Sequence, residues 1–415
     1  MVKRLAVAII AVVLMASAFR IDFARAQVSA QDETCLSPPF KADVAVVVAG
    51  WYEPVLHDPL GFIHGAYLVY WALINYLNTS KDRIAFLAPV LDYPDMPTVI
   101  KNSITGLATK ENVRYHLNSN GWLKSQVDEV KGASIFIYFA SHGVGYCTAE
   151  NKLYGGRIEE DGDEGPEHFI NGSRVGVDEG IQLFADDSIY WDDEMKADLE
   201  WLNTRLVIST IMLQSCYSED VNGTCFSGGF IDDLSSKYRR TIITAANETG
   251  TSSGTYPFPS FTRCFMEALI GYPVKFWPDG SDGDICWDYV RPSFDWPFKT
   301  LRGAFEYALK TDGYYLTGQE HPWFDDDGNK LPNYYEGSEH PDFPWNGQEL
   351  WRWLHCDVNL DGIVSMKDIG IVIHAFGGTP GNSNWNRHAD VYENWLVDMR
   401  DVGYVTGKYG WQDTS

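Results

Sequence analysis

Two apolar runs of the sequence stop at residues able to do chemistry. His142-Gly143 directly follows the run Ser134–Ala140, in YFASHG, and Cys216 closely follows the run Leu206–Leu213, in IMLQSCYS. A thiol beside an imidazole becomes a nucleophile, because the ring takes the thiol proton and later returns it to a leaving amine. Glycine after the histidine lets a substrate carbonyl approach a bare backbone N–H. The N–H groups of Gly143 and Cys216 would then form an oxyanion hole. Each residue alone has a plainer reading, a satisfied histidine or a buried or disulfide-bonded cysteine, so the chemistry requires the two runs to be neighbouring strands.

A second set of residues has metal-loop spacing. Asp357, Asn359, Asp361, Ser365 and Asp368 fall at loop positions 1, 3, 5, 9 and 12, with Gly362 at the turn and the Ile363 carbonyl at position 7. Hard oxygen donors at this spacing suit Ca2+. A helix is expected next, with Ile369, Val372, Ile373 and Phe376 on one face. The segment Asp357–Gly377 recurs 33 residues later as Asp390–Gly410, after a Gly/Asn-rich linker. The second copy keeps Asp390, Asn394, Asp398 and Asp401 but has Tyr392 at position 3 and Trp395 in place of the turn glycine. We expect a filled first site and a weak or empty second one. The run Asp325–Asn329 reads as a plain turn.

Elements that could position the first pair alternate along the chain. Asp43–Ala49, Arg83–Ala88, Ser134–Ala140, Leu206–Leu213 and Thr241–Ala245 read as strands buried on both faces. Tyr67, Tyr70, Trp71, Ile74 and Leu77 form an apolar stripe at helical spacing, and further helices are expected near Lys110–Leu117, Leu123–Val130, Asp192–Leu202 and Thr300–Leu309. Strands joined by helical crossovers imply an α/β fold with a parallel sheet covered on both faces. Its working residues belong just beyond the C-terminal strand ends. The stretch Asn151–Glu200, with 15 acidic and 4 basic residues, reads as a solvated insertion. Residues 276–355 are rich in Trp, Tyr, Pro and Asp; their aromatics fill a core more readily than they bind sugar.

SIFIYFASHG, LVISTIMLQSCYSE and TIITAANETGTSSG, in that order, resemble the caspase-fold cysteine peptidases, and within them the legumain-like branch. AGWYEP, HGAYLVYWAL, VDEGIQLFADDSIYWDDEMKADL and GQEHPWFDDDGN add to the resemblance, which spans Asp43–Asn329. It implies a caspase-like sheet sandwiched by helices and a Cys–His dyad. Cys216 would attack the scissile carbonyl to give an acyl-enzyme, and His142 would act as general acid and base. It also implies that Gln214 lines the primary specificity pocket, with Ser252 and Ser253 on the opposite wall. Legumains place an Asn to orient the histidine and an acidic residue where Gln214 stands; here WYEPVLHD offers Glu53 and no clear arginine, so asparagine specificity does not carry over. The branch includes transamidases, which pass the acyl group to an amine, and a non-catalytic relative serving only assembly is a further alternative. The paired loops resemble a dockerin, a small all-α calcium module, which implies a cohesin-type partner.

The chain has 415 residues, 14% of them aromatic, and a formal charge of −25. That excludes a disordered chain and a nucleic-acid binder, which needs a basic face. Lys3 and Arg4 precede an apolar run, Leu5–Ala18, too short to span a bilayer. With Ala24-Arg25-Ala26 this reads as a secretory signal over residues 1–26, and a short membrane anchor is the alternative. A secreted product would carry a charge near −28 and no membrane span. The expected order is then an N-terminal segment 27–42, a peptidase domain 43–340 acting on proteins or peptides, a linker 341–356 and the dockerin-like domain 357–411. Seven cysteines leave at least one without an intramolecular partner, and Asn-x-Ser/Thr sites begin at Asn78, Asn171, Asn222 and Asn247.

Overall fold

A computed structural model describes residues 40–52, 61–92, 96–130, 133–147, 152–158, 168–170, 173–175, 177–205, 207–215, 227–236, 240–247, 252, 258–276, 285–287, 301–325, 332, 356–359, 363–379, 382, 384, 386, 389–391 and 396–411. The expected signal segment, most of the linker and the site candidates Glu53, Cys216, Ser253, Asp361 and Asn394 lie outside the described residues.

In chain order, the first half runs β1 (Val44–Ala49), α1 (Gly61–Asn75), β2 (Ile84–Ala88), β3 (Gly106–Leu107), α2 (Lys110–Leu117), α3 (Trp122–Glu129), β4 (Ser134–Ser141), β5 (Gly143–Cys147) and β6 (Lys152–Tyr154). There follow β7 (Gly180–Leu183), β8 (Ser188–Trp191), α4 (Asp192–Leu199), β9 (Ile208–Ser215), α5 (Phe230–Leu234), β10 (Arg240–Thr244), α6 (Ser260–Ile270), α7 (Leu301–Thr311), β11 (Trp323–Asp325), α8 (Met366–His374) and α9 (Met399–Gly407). Among the described residues the main sheet has the order β11-β10-β9-β4-β1-β2-β3. Every neighbouring pair is parallel except β10–β11. The fold is thus mixed α/β with a mostly parallel central sheet and helices on both faces.

The continuous apolar runs are explained by this burial. Alternate strand residues serve opposite layers, because side chains alternate across a strand. Ala45, Val47, Phe136, Tyr138, Met212 and Ile243 pack with α1, α6 and α7. Val44, Val46, Val48, Ile135, Ile137, Phe139, Ile211 and Leu213 pack with α2, α3, α4 and α5. Each large side chain so buried contributes about 1.5–3 kcal/mol. Helix α1 departs from the expected single stripe: eleven of its fifteen residues are buried, while Trp71 and Ile74 are only partly so. A helix lying between a sheet and another helix needs more than one apolar face, and α1 contacts both β4 and α6.

The acidic stretch is not simply a solvated insertion. Its second half folds into β7 and β8, which join β5 and β6 in a sheet of order β8-β7-β5-β6. Asp178, Glu179, Asp192 and Asp198 are at most 6% exposed. Arg157 pairs with Asp178, and Arg114 grips Asp198 through Nε at 2.8 Å and Nη2 at 3.1 Å. The Asp192 carboxylate accepts from Glu179 N–H at 2.7 Å, and burial, then nearby Asp233, raises its pKa well above the usual carboxylate range. Composition alone could not see these partners, which lie far away in sequence.

The C-terminal repeat has its own core of Cys356, Val358, Val364, Ile369, Val372, Val391, Val397 and Val405. Helices α8 and α9 each begin with a capping box, Ser365 with Asp368 and Asp398 with Asp401. The copies clasp reciprocally. Val364 N–H donates to the Trp411 carbonyl at 2.9 Å and Gly410 N–H to the Val364 carbonyl at 2.8 Å. Thirty-three residues on, Val397 N–H donates to Gly378 at 3.0 Å and Gly377 N–H to Val397 at 2.8 Å. The expected apolar face of α8 splits: Ile369 and Val372 are buried, whereas Ile373 and Phe376 are 57% and 47% exposed. Two short helices cannot enclose four large side chains apiece.

Candidate active site

The site is built where β4 and β9 end. The two strands are parallel neighbours, and their last register partners among the described residues are Ser141 and Ser215. His142 is the next residue after Ser141, and Cys216 is the next after Ser215. The requirement set by the sequence, that the two runs be neighbouring strands, is therefore met, and Cys216 itself lies outside the described residues.

Strands β1, β4 and β7 converge around the half-buried His142. Its carbonyl accepts from Gln182 N–H at 2.9 Å, Ser141 Oγ donates to the Gln182 carbonyl at 2.5 Å, and Phe184 N–H donates to Gly50 at 2.8 Å. Trp51, just past β1, and Phe62, in α1, present T-shaped contacts to the imidazole at 5.2 and 5.1 Å. Phe184, just past β7, packs edge-on against Trp51 at 5.3 Å and Tyr52 at 5.6 Å. This aromatic frame was missed in the sequence. The signal that could have found it is position, since Phe184 directly follows β7 and Trp51 comes two residues after β1.

Gly143 opens β5 and faces Ile181 of antiparallel β7. The Gln182 N–H to His142 carbonyl bond makes that pair the hydrogen-bonded kind, so the next pair, Gly143–Ile181, is the non-bonded kind. The Gly143 N–H is thus directed away from β7, as an oxyanion donor requires.

Gln214 and Ser252 do not face each other across an open pocket. They are 1% and 3% exposed, and Gln214 Nε2 donates to Ser252 Oγ at 2.8 Å. The Gln214 carbonyl accepts from Thr262 N–H at 3.2 Å and Thr262 Oγ1 at 2.8 Å. The two side chains expected on opposite walls are joined, because both lie on the α6 side of the sheet, where a buried amide needs partners.

No family model and no curated protein matches the chain. Among solved structures, a Geobacter sulfurreducens protein is similar with a TM-score of 0.37 and 14% identity, over 73% of this chain and 96% of that one. Pro-sf-caspase-1 is similar with a TM-score of 0.27 and 10% identity, over 56% of this chain and 72% of that one. Both likenesses are distant.

Two other thiols are unsuited to nucleophilic work. Cys264 and Cys356 are free and buried, and burial pushes their pKa values up to about 11 and about 12. Five cysteines remain, so at least one of those also lacks an intramolecular partner.

In the repeat, Asp357 and Asp368 are 2% and 0% exposed. Asn359 N–H and Ser365 N–H donate to the two Asp368 oxygens at 3.0 and 2.8 Å, drawing loop positions 3, 9 and 12 together. Asp390 and Asp401 are buried likewise, and Asp398 N–H donates to Asp401 at 2.6 Å. Buried carboxylate oxygens in a tight loop fit a hard cation. Among the described residues no three His, Cys, Asp or Glu side chains gather as a metal site. Asp361 and Asn394 stand outside that set. No helix among the described residues is long and apolar enough to cross a membrane.

Proposed function

We propose that the chain is a cysteine endopeptidase of caspase-like fold, of the legumain-like branch, with a C-terminal calcium-binding dockerin-like module. The observation that supports this reading is the register pairing of Ser141 with Ser215 on adjacent parallel strands, since His142 and Cys216 are the residues that follow them in the sequence. In the proposed reaction Cys216 gives its proton to His142 and attacks the scissile carbonyl. Gly143 N–H stabilises the oxyanion, and His142 returns the proton to the departing amine. Water then adds to the acyl-enzyme and releases the second product.

Asp357, Asn359, Asp361, the Ile363 carbonyl, Ser365 and Asp368 would hold Ca2+, which would rigidify the loop ahead of α8. The second loop, through Asp390, Asn394, Asp398 and Asp401, would hold it weakly. The module would tether a secreted enzyme, freed of residues 1–26, to a cohesin-type domain.

Cys216→Ala tests the reading on a peptide library: thiol-dependent cleavage disappears and binding of a cohesin-type domain persists. Equal cleavage by wild type and variant refutes it. A second reading, a non-catalytic assembly protein, draws on the direct bond between the buried Gln214 and Ser252, which were expected on opposite walls of a primary pocket. Cohesin binding without any cleavage by the wild type favours that reading.

A further inference from the structure

The orientation of the Gln214 amide follows from the backbone. A peptide N–H only donates, so the Gln214 atom 3.2 Å from the Thr262 nitrogen is the carbonyl oxygen. The Thr262 hydroxyl, 2.8 Å from that oxygen, therefore donates to it. With its proton committed, this hydroxyl accepts from the Tyr138 phenol 2.9 Å away. At the other end of the amide, Nε2 donates to Ser252 Oγ at 2.8 Å. A one-directional chain thus runs from Tyr138 on β4 through Thr262 on α6 to Gln214 on β9 and on to Ser252. All four residues are at most 3% exposed. In such surroundings each bond counts for more than it would in water.

Thr262 is the third residue of α6, so its N–H belongs to the helix's first turn and lacks an intrahelical acceptor. Gln214 supplies that acceptor. The strand needs the link as much as the helix does. On its β10 side, the pairing of β9 among the described residues runs as far as Leu213 with Thr244, where Ala245 N–H donates to the Leu213 carbonyl at 3.0 Å. Beyond Leu213 the strand keeps its β4 neighbour, and the Gln214 side chain ties its face to α6.

We propose that Thr262 is a positioning residue: its N–H and O–H grip the Gln214 carbonyl and so fix the end of β9 that leads into Cys216. This rests on the peptidase reading and names the group that keeps its nucleophile in register.

The test uses full-length protein and three substitutions. Thr262→Val keeps the shape and the N–H but loses the O–H, Thr262→Ser restores it, and Tyr138→Phe removes only the first donor of the chain. Thr262→Val lowers kcat for thiol-dependent peptide cleavage by about tenfold, with KM changed by less than about twofold. Thr262→Ser and Tyr138→Phe stay within about twofold of wild type. The rate of Cys216 alkylation by iodoacetamide, read by mass spectrometry of its peptide, falls alongside kcat in Thr262→Val. Thr262→Ala carries the same expectation if the valine variant does not fold.

Wild-type kcat and alkylation in Thr262→Val overturn the proposal, as does a Tyr138→Phe variant equally impaired. A wild-type protein that cleaves nothing removes the peptidase reading instead. The Cys216 alkylation rates then still decide whether Thr262 governs the strand end.

Discussion

Gly50→Ala strikes the point where three strands meet beside His142. A Cβ at Gly50 would lie 2.6 Å from Ser141 Oγ, 2.7 Å from the Gln182 carbonyl oxygen and 2.8 Å from Ser141 Cβ. The hydroxyl can rotate away only by giving up its 2.5 Å bond to the Gln182 carbonyl. The carbonyl itself belongs to the backbone of β7 and cannot move without the strand. Relief therefore means displacing β7 from β4, which strains the Gln182–His142 and Phe184–Gly50 bonds. Overpacking costs about 1–3 kcal/mol. The lost hydroxyl bond adds about 1 kcal/mol, for a total of about 2–4 kcal/mol. At roughly 2 °C per kcal/mol for a large domain, scanning calorimetry should show the main transition lowered by about 4–8 °C. The same displacement carries the His142 carbonyl with it, so peptide cleavage should fall as well. Adding Ser141→Ala should recover only part of the loss, since the backbone contact remains. A Gly50→Ala protein that melts and cleaves like wild type refutes the reasoning.

Trp51→Ala removes one of the two aromatic edges against His142, worth about 0.5–1.5 kcal/mol. It should lower kcat/KM by about 2–10-fold, with Trp51→Phe restoring most of it; unchanged kinetics exclude a positioning role for the indole. Burial pushes His64 down to about 3, so the fold keeps it neutral while the unfolded chain protonates it below about pH 6.5. Its contribution is complete above pH 6.5 and declines toward pH 3, by an amount of the order of 5 kcal/mol; His64→Gln should flatten that limb in chemical denaturation across pH. Calcium titration by calorimetry should find one tight site, abolished by Asp368→Ala, and two equally tight sites would contradict the loop reading.

Five of the seven described strands of the main sheet were legible because each is a continuous apolar run, a pattern that burial on both faces demands; β3 and β11, only two and three residues long, carry no such run. The strands that precede His142 and Cys216 were legible for the same reason, but their adjacency was a condition the sequence set and only the sheet order answers. What stayed hidden depends on distant partners. Asp178, Asp192 and Asp198 look like solvated charge until Arg157, the Glu179 N–H and Arg114 are brought to them. The family resemblance implied a pocket wall at Gln214, and nothing near it in sequence announces Thr262 or Tyr138. The exposure of Ile373 and Phe376 likewise reflects how little a two-helix unit can cover, which helical spacing does not report.

The reciprocal clasp of the repeat fixes an order of assembly. Backbone partners of Val364, within the first loop, are Gly410 and Trp411, near the end of the second helix. As the polypeptide leaves the ribosome, Val364 must wait for these partners until nearly all of the later copy has been synthesised. The Asp368 bonds to Asn359 and Ser365 are available early, being local, whereas the Val364 bonds come only with the last residues of the second copy.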